Sequence, residues 1–259
     1  NCRELADHFT TRILQKYRKG DGIHLVFDRY DVSLSLKTAT RDRRQGGQPH
    51  VVSYNITDTT NIAKVSMKQL LASVKTKKAL TGYLAEQMLE KANAMGKHMV
   101  VAWGSKCKAT HMNMTHLQST QEEADTKLLL HAVDATSRGA SSVAIHSPDT
   151  DVFILALRRY PDLCRNTTFV TGTGQIRRTL PLQRIYRSPR PIEVSALPGF
   201  HALSGADNTE YFAGKSKRTF WKAFQHASDE VITALASLGT TSHLSTDTLN
   251  AIDQFICSV

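Results

Sequence analysis

The chain has 259 residues, 41% of them hydrophobic, with 33 Lys and Arg against 23 Asp and Glu and a formal charge of +10. That is enough chain for one large domain or two small ones with a sizeable core, it excludes a wholly disordered polymer, and its charge favours polyanionic partners. Cys2, Cys107, Cys164 and Cys257 lie far apart without a C-x-x-C pair, so neither a disulfide framework nor a thiolate zinc site is suggested and a reducing, intracellular setting fits best, while no apolar run approaches the roughly 18 to 20 residues that span a bilayer.

The sequence opens at Asn1, without Met, inside a stretch that reads as a helix, so a fragment is expected. Over residues 3–17 Leu5, Phe9, Ile13 and Leu14 recur at helical spacing, and the glycines at 20 and 22 end the element. The apolar run GIHLVF at 22–27 predicts a buried parallel strand that delivers Asp28 at its carboxyl end. Residues 37–60 turn polar, with Gly46, Gly47 and Pro49, and predict a long arch-like excursion. One long or two shorter helices follow over 64–95, then a strand HMVVAW at 98–103 and a loop.

Ser119 or Thr120 can cap the next helix, with Glu122, Glu123 and Asp125 in its first turn and Leu128, Leu129, Leu130 and Val133 facing the core. A strand is predicted at 141–146 and a helix at 152–160, then a strand pair at 167–172 and 175–182 turned at Gly172 and Gly174. From Leu197 onward the chain reads as helical. Strands alternating with helices predict an α/β fold: a mainly parallel twisted sheet flanked by helices, with a helical C-terminal portion.

Acidic residues fall in four clusters: Asp28 after GIHLVF, Glu122, Glu123 and Asp125 opening a helix, Asp149 and Asp151 in SPDTD, and Asp207 in LSGAD. Carboxylates at several strand ends can converge to hold hard divalent cations, and a pair of such ions clamps the attacking and leaving oxygens of a phosphodiester. A simpler reading exists for Asp149-Thr150-Asp151, a helix N-cap followed by a dipole-favoured acid. Cys107, His111 and His116 have loosely zinc-like spacing without a fourth ligand. His131 and His146 flank apolar runs and are read as buried, hydrogen-bonded histidines. Tyr30, Tyr211 and Phe212 are weighed as base-stacking or core aromatics. No Gly-x-Ser-x-Gly elbow or Walker lysine loop is present.

In order and spacing, VFDRY (26–30), KTATRDRR (37–44), EEADTKLLLHA (122–132), SPDTDVFIL (147–155) and LSGADNTEYFAGKSKR (203–218) resemble the flap-endonuclease and XPG-like 5′ nucleases of the PIN-like superfamily. The likeness runs from about Phe9 to Phe224 and points to a divergent, uncharacterised invertebrate branch associated with mobile elements. It implies a PIN-like nuclease core over 1–194 and a helical region over 195–259 with a helix-turn-helix-like segment, the family's N-terminal strand and first carboxylate lying upstream of Asn1. It also implies a structure-selective endo- or exonuclease using two Mg²⁺ or Mn²⁺ ions. The metal ligands would be Asp28, Glu123, Asp125, Asp149, Asp151 and Asp207, with Glu122 an alternative to Glu123.

By the same likeness Lys37, Arg41 and Arg44 stand at the foot of an arch over the scissile phosphate, and Lys215, Lys217, Arg218 and Lys222 contact nucleic acid, DNA in preference to RNA. Two details differ from the family pattern: Gly214-Lys215-Ser216 stands for a Gly-x-Gly hairpin, and Asn208 follows Asp207 where an aromatic is frequent. The nucleus is the expected compartment. The alternatives are a catalytically silent nuclease-like module that binds nucleic acid or protein, derived from a mobile element, and an α/β phosphohydrolase acting on a small molecule.

Overall fold

The computed structural model describes residues 1–30, 52–206 and 209–259. Lys37, Arg41, Arg44 and Asp207 lie outside the described residues. Over the described residues the protein is α/β with two small mixed sheets and no barrel, and it divides into two compact units, Asn1–His131 and Ala132–Val259. The boundary expected near 194 falls inside a helix of the second unit.

In the first unit, helix α1 (Cys2–Lys16) starts from a capping box between Asn1 and Glu4. Its buried face is Cys2, Ala6, Thr10 and Leu14, every fourth residue, so Phe9, expected inside, is 40% exposed. Strand β1 (Ile23–Val26) pairs in parallel with β2 (Met99–Trp103), whose residues are all buried. On one face Met99, Val101 and Trp103 join Leu14 of α1 and Ala85, Met88 and Ala92 of a long helix; on the other, Val100 and Ala102 meet Cys107, Met114 and Leu117. Strand β3 (Lys106–Ala109), expected to be loop, returns antiparallel to β2 through Gly104, whose φ of 54° favours glycine. Its Lys-Cys-Lys alternation is that of a half-exposed edge strand.

The helical stretch expected at 64–95 is two helices, α2 (Met67–Leu70) and α3 (Val74–Ala94), each opened by a serine whose side chain accepts a first-turn N–H. The described end of the predicted excursion, 52–60, is tied down. The Tyr54 N–H donates to Thr76 Oγ1 at 2.8 Å, and the Cys2 and Arg3 N–H groups donate to the Thr60 and Asp58 carbonyls. Asp58 also accepts from Arg3 at 2.9 Å and from the Tyr83 hydroxyl at 2.8 Å.

Helix α4 (Ala124–Ser137) starts later than Ser119 or Thr120 would have it and spans the boundary between the units. Its buried positions are Lys127, Leu129, His131 and Ala132, whereas Leu130, expected in the core, is 41% exposed.

In the second unit, β4 (Ser142–His146) is parallel to β5 (Asn166–Thr171), and β6 (Arg178–Pro181) is antiparallel to β5. Each sheet therefore holds one parallel and one antiparallel pair, because a tight turn after β2 and a longer connection after β5 each add an edge strand. Helix α5 (Thr150–Arg158) follows β4, and a short helix α6 (Leu182–Arg187) occupies residues whose start was read as strand. The expected helical portion is α7 (Pro191–Leu203), α8 (Lys217–Gln225), α9 (Asp229–Ser237) and α10 (Thr246–Cys257). Phe200, Phe220, Phe224, Ile232, Leu235 and Phe255 form their common core.

Candidate functional site

In the first unit the carboxyl end of β1 is stitched to the start of α4. Phe27 N–H donates to the Ala102 carbonyl at 2.9 Å, continuing the strand pairing, and Arg29 N–H donates to the Glu122 carbonyl at 2.7 Å. The Arg29 guanidinium adds a bond to the Thr120 carbonyl at 2.8 Å. Between them Asp28 Oδ1 accepts the Ala124 N–H at 2.9 Å, so a carboxylate far away in sequence caps this helix. The capped amide lies between Glu123 and Asp125, which brings Asp28 to the backbone that carries both of these predicted ligands. All three side chains are partly buried. Tyr30 is part of this corner: its hydroxyl is 3.5 Å from Asp28 Oδ2, and the Lys77 ammonium lies 5.8 Å over its ring.

In the second unit Asp149 and Asp151 occupy the turn from β4 into α5. The Asp149 N–H donates to the buried Ser147 hydroxyl at 3.1 Å, and Asp149 Oδ1 accepts the Asp151 N–H at 2.9 Å. Asp149 is thus the N-cap of α5 and Asp151 sits in its first turn, as the capping alternative anticipated. Asp151 Oδ1 also lies 2.7 Å from Nε2 of His201, a largely buried residue of α7. His201 was not foreseen. Its signal was present in PGFHAL, a polar side chain in an apolar helix that needs a partner when buried.

The side chains fit hard cations in kind, since Asp28, Glu123, Asp125, Asp149 and Asp151 offer only oxygen donors. Asp28, Asp149 and Asp151 are each held by a hydrogen bond to one oxygen, and ligating carboxylates are ordinarily oriented in this way. Among the described residues no group of three or more His, Cys, Asp or Glu side chains is assembled to hold a metal ion. Of the loosely zinc-like trio, Cys107 is buried in β3, and His111 stacks on His98 with ring centroids 4.1 Å apart. His131 is buried as expected, its Nδ1 2.9 Å from Nδ1 of His24.

Helix α8 carries Lys217, Arg218 and Lys222 on its exposed side, and its buried side is Phe220 and Phe224. Ser216 caps it, and Lys215 donates to the Val259 carbonyl at 3.0 Å. Phe212 packs on Phe220 with centroids 5.7 Å apart, and Tyr211 is 77% exposed. No helix among the described residues is long and apolar enough to cross a membrane. No family model, curated protein or solved structure matches the chain.

Proposed function

We propose that the chain is a metal-dependent phosphodiesterase, a structure-selective nuclease acting on DNA within the cell, most simply in the nucleus. The observation that carries this reading is the pairing of acids with parallel strand ends: Asp28 after β1, drawn onto the α4 turn of Glu123 and Asp125, and Asp149 and Asp151 after β4. Open α/β sheets bind ligands at such ends. The finer architecture, a PIN-like arrangement that also uses Asp207, belongs to the same proposal.

Divalent cations bound there would supply an activated water and neutralise charge on the transferring phosphate. In this reading Asp28, Glu123, Asp125, Asp149, Asp151 and Asp207 hold two Mg²⁺ or Mn²⁺ ions. His201 fixes the orientation of the Asp151 carboxylate, Lys37, Arg41 and Arg44 steady the scissile phosphate, and the exposed cations of α8 hold the nucleic-acid backbone through charge.

The test is cleavage of flapped, single-stranded and duplex oligonucleotides with Mg²⁺, Mn²⁺ or EDTA. Asp149→Asn keeps an N-cap acceptor and removes the charge, so it leaves the fold and DNA binding intact and abolishes cleavage. Wild-type-like cleavage by Asp149→Asn removes that residue from the site. Metal-dependent cleavage of no substrate at all rejects the reading in favour of a binding module.

A further inference from the structure

Helix α8 sets a half-exposed tryptophan among cations. Trp221 is 42% exposed, whereas Trp103, the other tryptophan of the chain, is 6% exposed in the core of the first unit. Two buried rings hold the indole. It lies near-parallel to Phe224, with centroids 5.4 Å apart and 20° between planes, and Phe200 of α7 meets it edge-on at 5.5 Å. The ring is thus fixed in place without being covered, so a planar partner that stacks on it orders little that is not ordered already.

Its neighbours on the helix surface are cations. Lys217 and Arg218 precede it by four and three residues, and Lys222 lies four beyond Arg218, all of them exposed. No acid occurs over Lys217–Gln225 to offset them. Cations in the first turn oppose the helix dipole, and Arg218 and Lys222 are a like-charge pair one turn apart, so local electrostatics run against helix stability. Such a departure from local preference is expected where a ligand brings the compensating charge.

A stacking face and positive charge in one patch discriminate among ligands. A duplex offers phosphates but keeps its base faces stacked on one another; only an unpaired strand brings both charge and a free base face. A lipid surface needs a broad apolar helix face, and that of α8, Phe220 and Phe224, is buried in the core of the second unit. We propose that Trp221 is a base-stacking platform and that this face of α8 binds single-stranded nucleic acid, with Lys217, Arg218 and Lys222 holding its phosphates. The inference deepens the nuclease reading by naming the form of its substrate, and rests on that reading only for nucleic acid being the polyanion bound.

The test is binding by the whole chain in EDTA, with no cleavage step. Oligothymidylate quenches the tryptophan emission, whereas an abasic strand of equal length and charge binds more weakly without quenching, and a duplex of equal length also leaves the emission unchanged. Trp221→Leu keeps an apolar cover over Phe200 and Phe224 but offers no ring. It abolishes the quenching and weakens oligothymidylate binding about tenfold, read from anisotropy of the labelled strand, while affinity for the abasic strand is unchanged; Trp221→Phe restores most of the lost affinity. Three results overturn the inference: no difference in wild-type quenching between oligothymidylate and the abasic strand, an equal loss of both affinities in Trp221→Leu, or quenching by anionic lipid vesicles or polyglutamate but not by oligothymidylate. The first and third need no variant to fold. Base-dependent quenching without metal-dependent cleavage of any substrate removes the nuclease reading alone, and cleavage by a chain that shows no such quenching removes the platform alone.

Discussion

Two helical glycines should respond to alanine with opposite signs. Gly82 lies in α3, and a Cβ there would sit 3.6 Å from Trp103 Nε1, an ordinary contact. Alanine should stabilise the first unit by about 1 kcal/mol, the intrinsic difference between the two residues inside a helix. Gly199 lies in α7 against α9, where a Cβ would overlap the Leu235 carbonyl oxygen and stand 3.1 Å from its carbon and 3.3 Å from Leu238 Cβ. The obstruction is main chain and cannot rotate away. The two helices must part, loosening Ala196 and Phe200 from Ile232 and Leu235, and overpacking of this kind costs about 1 to 3 kcal/mol. That outweighs the helix-propensity gain, so Gly199→Ala destabilises the second unit. Urea denaturation followed by tryptophan fluorescence measures both, and hydrogen exchange of the α3 and α9 peptides assigns each change to its unit. Stabilisation by both substitutions, or unchanged α9 protection in Gly199→Ala, would refute the close helix approach.

Asp149→Ala should lose about 1 kcal/mol through the missing cap of α5, whereas Asp149→Asn should lose much less, and urea midpoints separate the two. Asp28→Ala should speed hydrogen exchange of the first-turn amides of α4 and cost about 1 to 2 kcal/mol; unchanged exchange at Ala124 would contradict the cap from β1. Burial and the Asp58 hydrogen bond push Tyr83 from the ordinary 10.0 up to about 12. With the folded value raised, its contribution is complete below pH 10 and is lost as pH rises from 10 through about 12, and Tyr83→Phe should flatten that alkaline loss in urea midpoints. The hydrogen bond from Tyr83, then that from Arg3, holds Asp58 below the usual carboxylate range, so its contribution is present above that range and fades as pH falls through the lowered value.

Local pattern carried much of the architecture. Apolar runs marked β1, β2, β4 and β5, helical spacing marked the stretch that holds α2 and α3, the C-terminal portion read as helical, and paired glycines marked the turn after β5. These features depend on neighbours in sequence, which propensity and periodicity report directly. The errors fall where a contact distant in sequence overrides local preference. Ser119 and Thr120 are good caps on composition, yet Asp28 holds the α4 terminus, and no reading of residues 119–125 alone could contain that.

The same reason explains the faces of α4. Its leucines made the expected core stripe and His131 was legible as a buried histidine, but Leu130 is exposed and the helix buries Lys127, which bonds the Gly104 carbonyl. His201 reaches Asp151 across 50 positions, a distance over which periodicity says nothing. The acids themselves, their order and their places after strands were legible from the chain; which atom holds each carboxylate was decided only by folding, since hydrogen-bond partners are chosen by proximity in space.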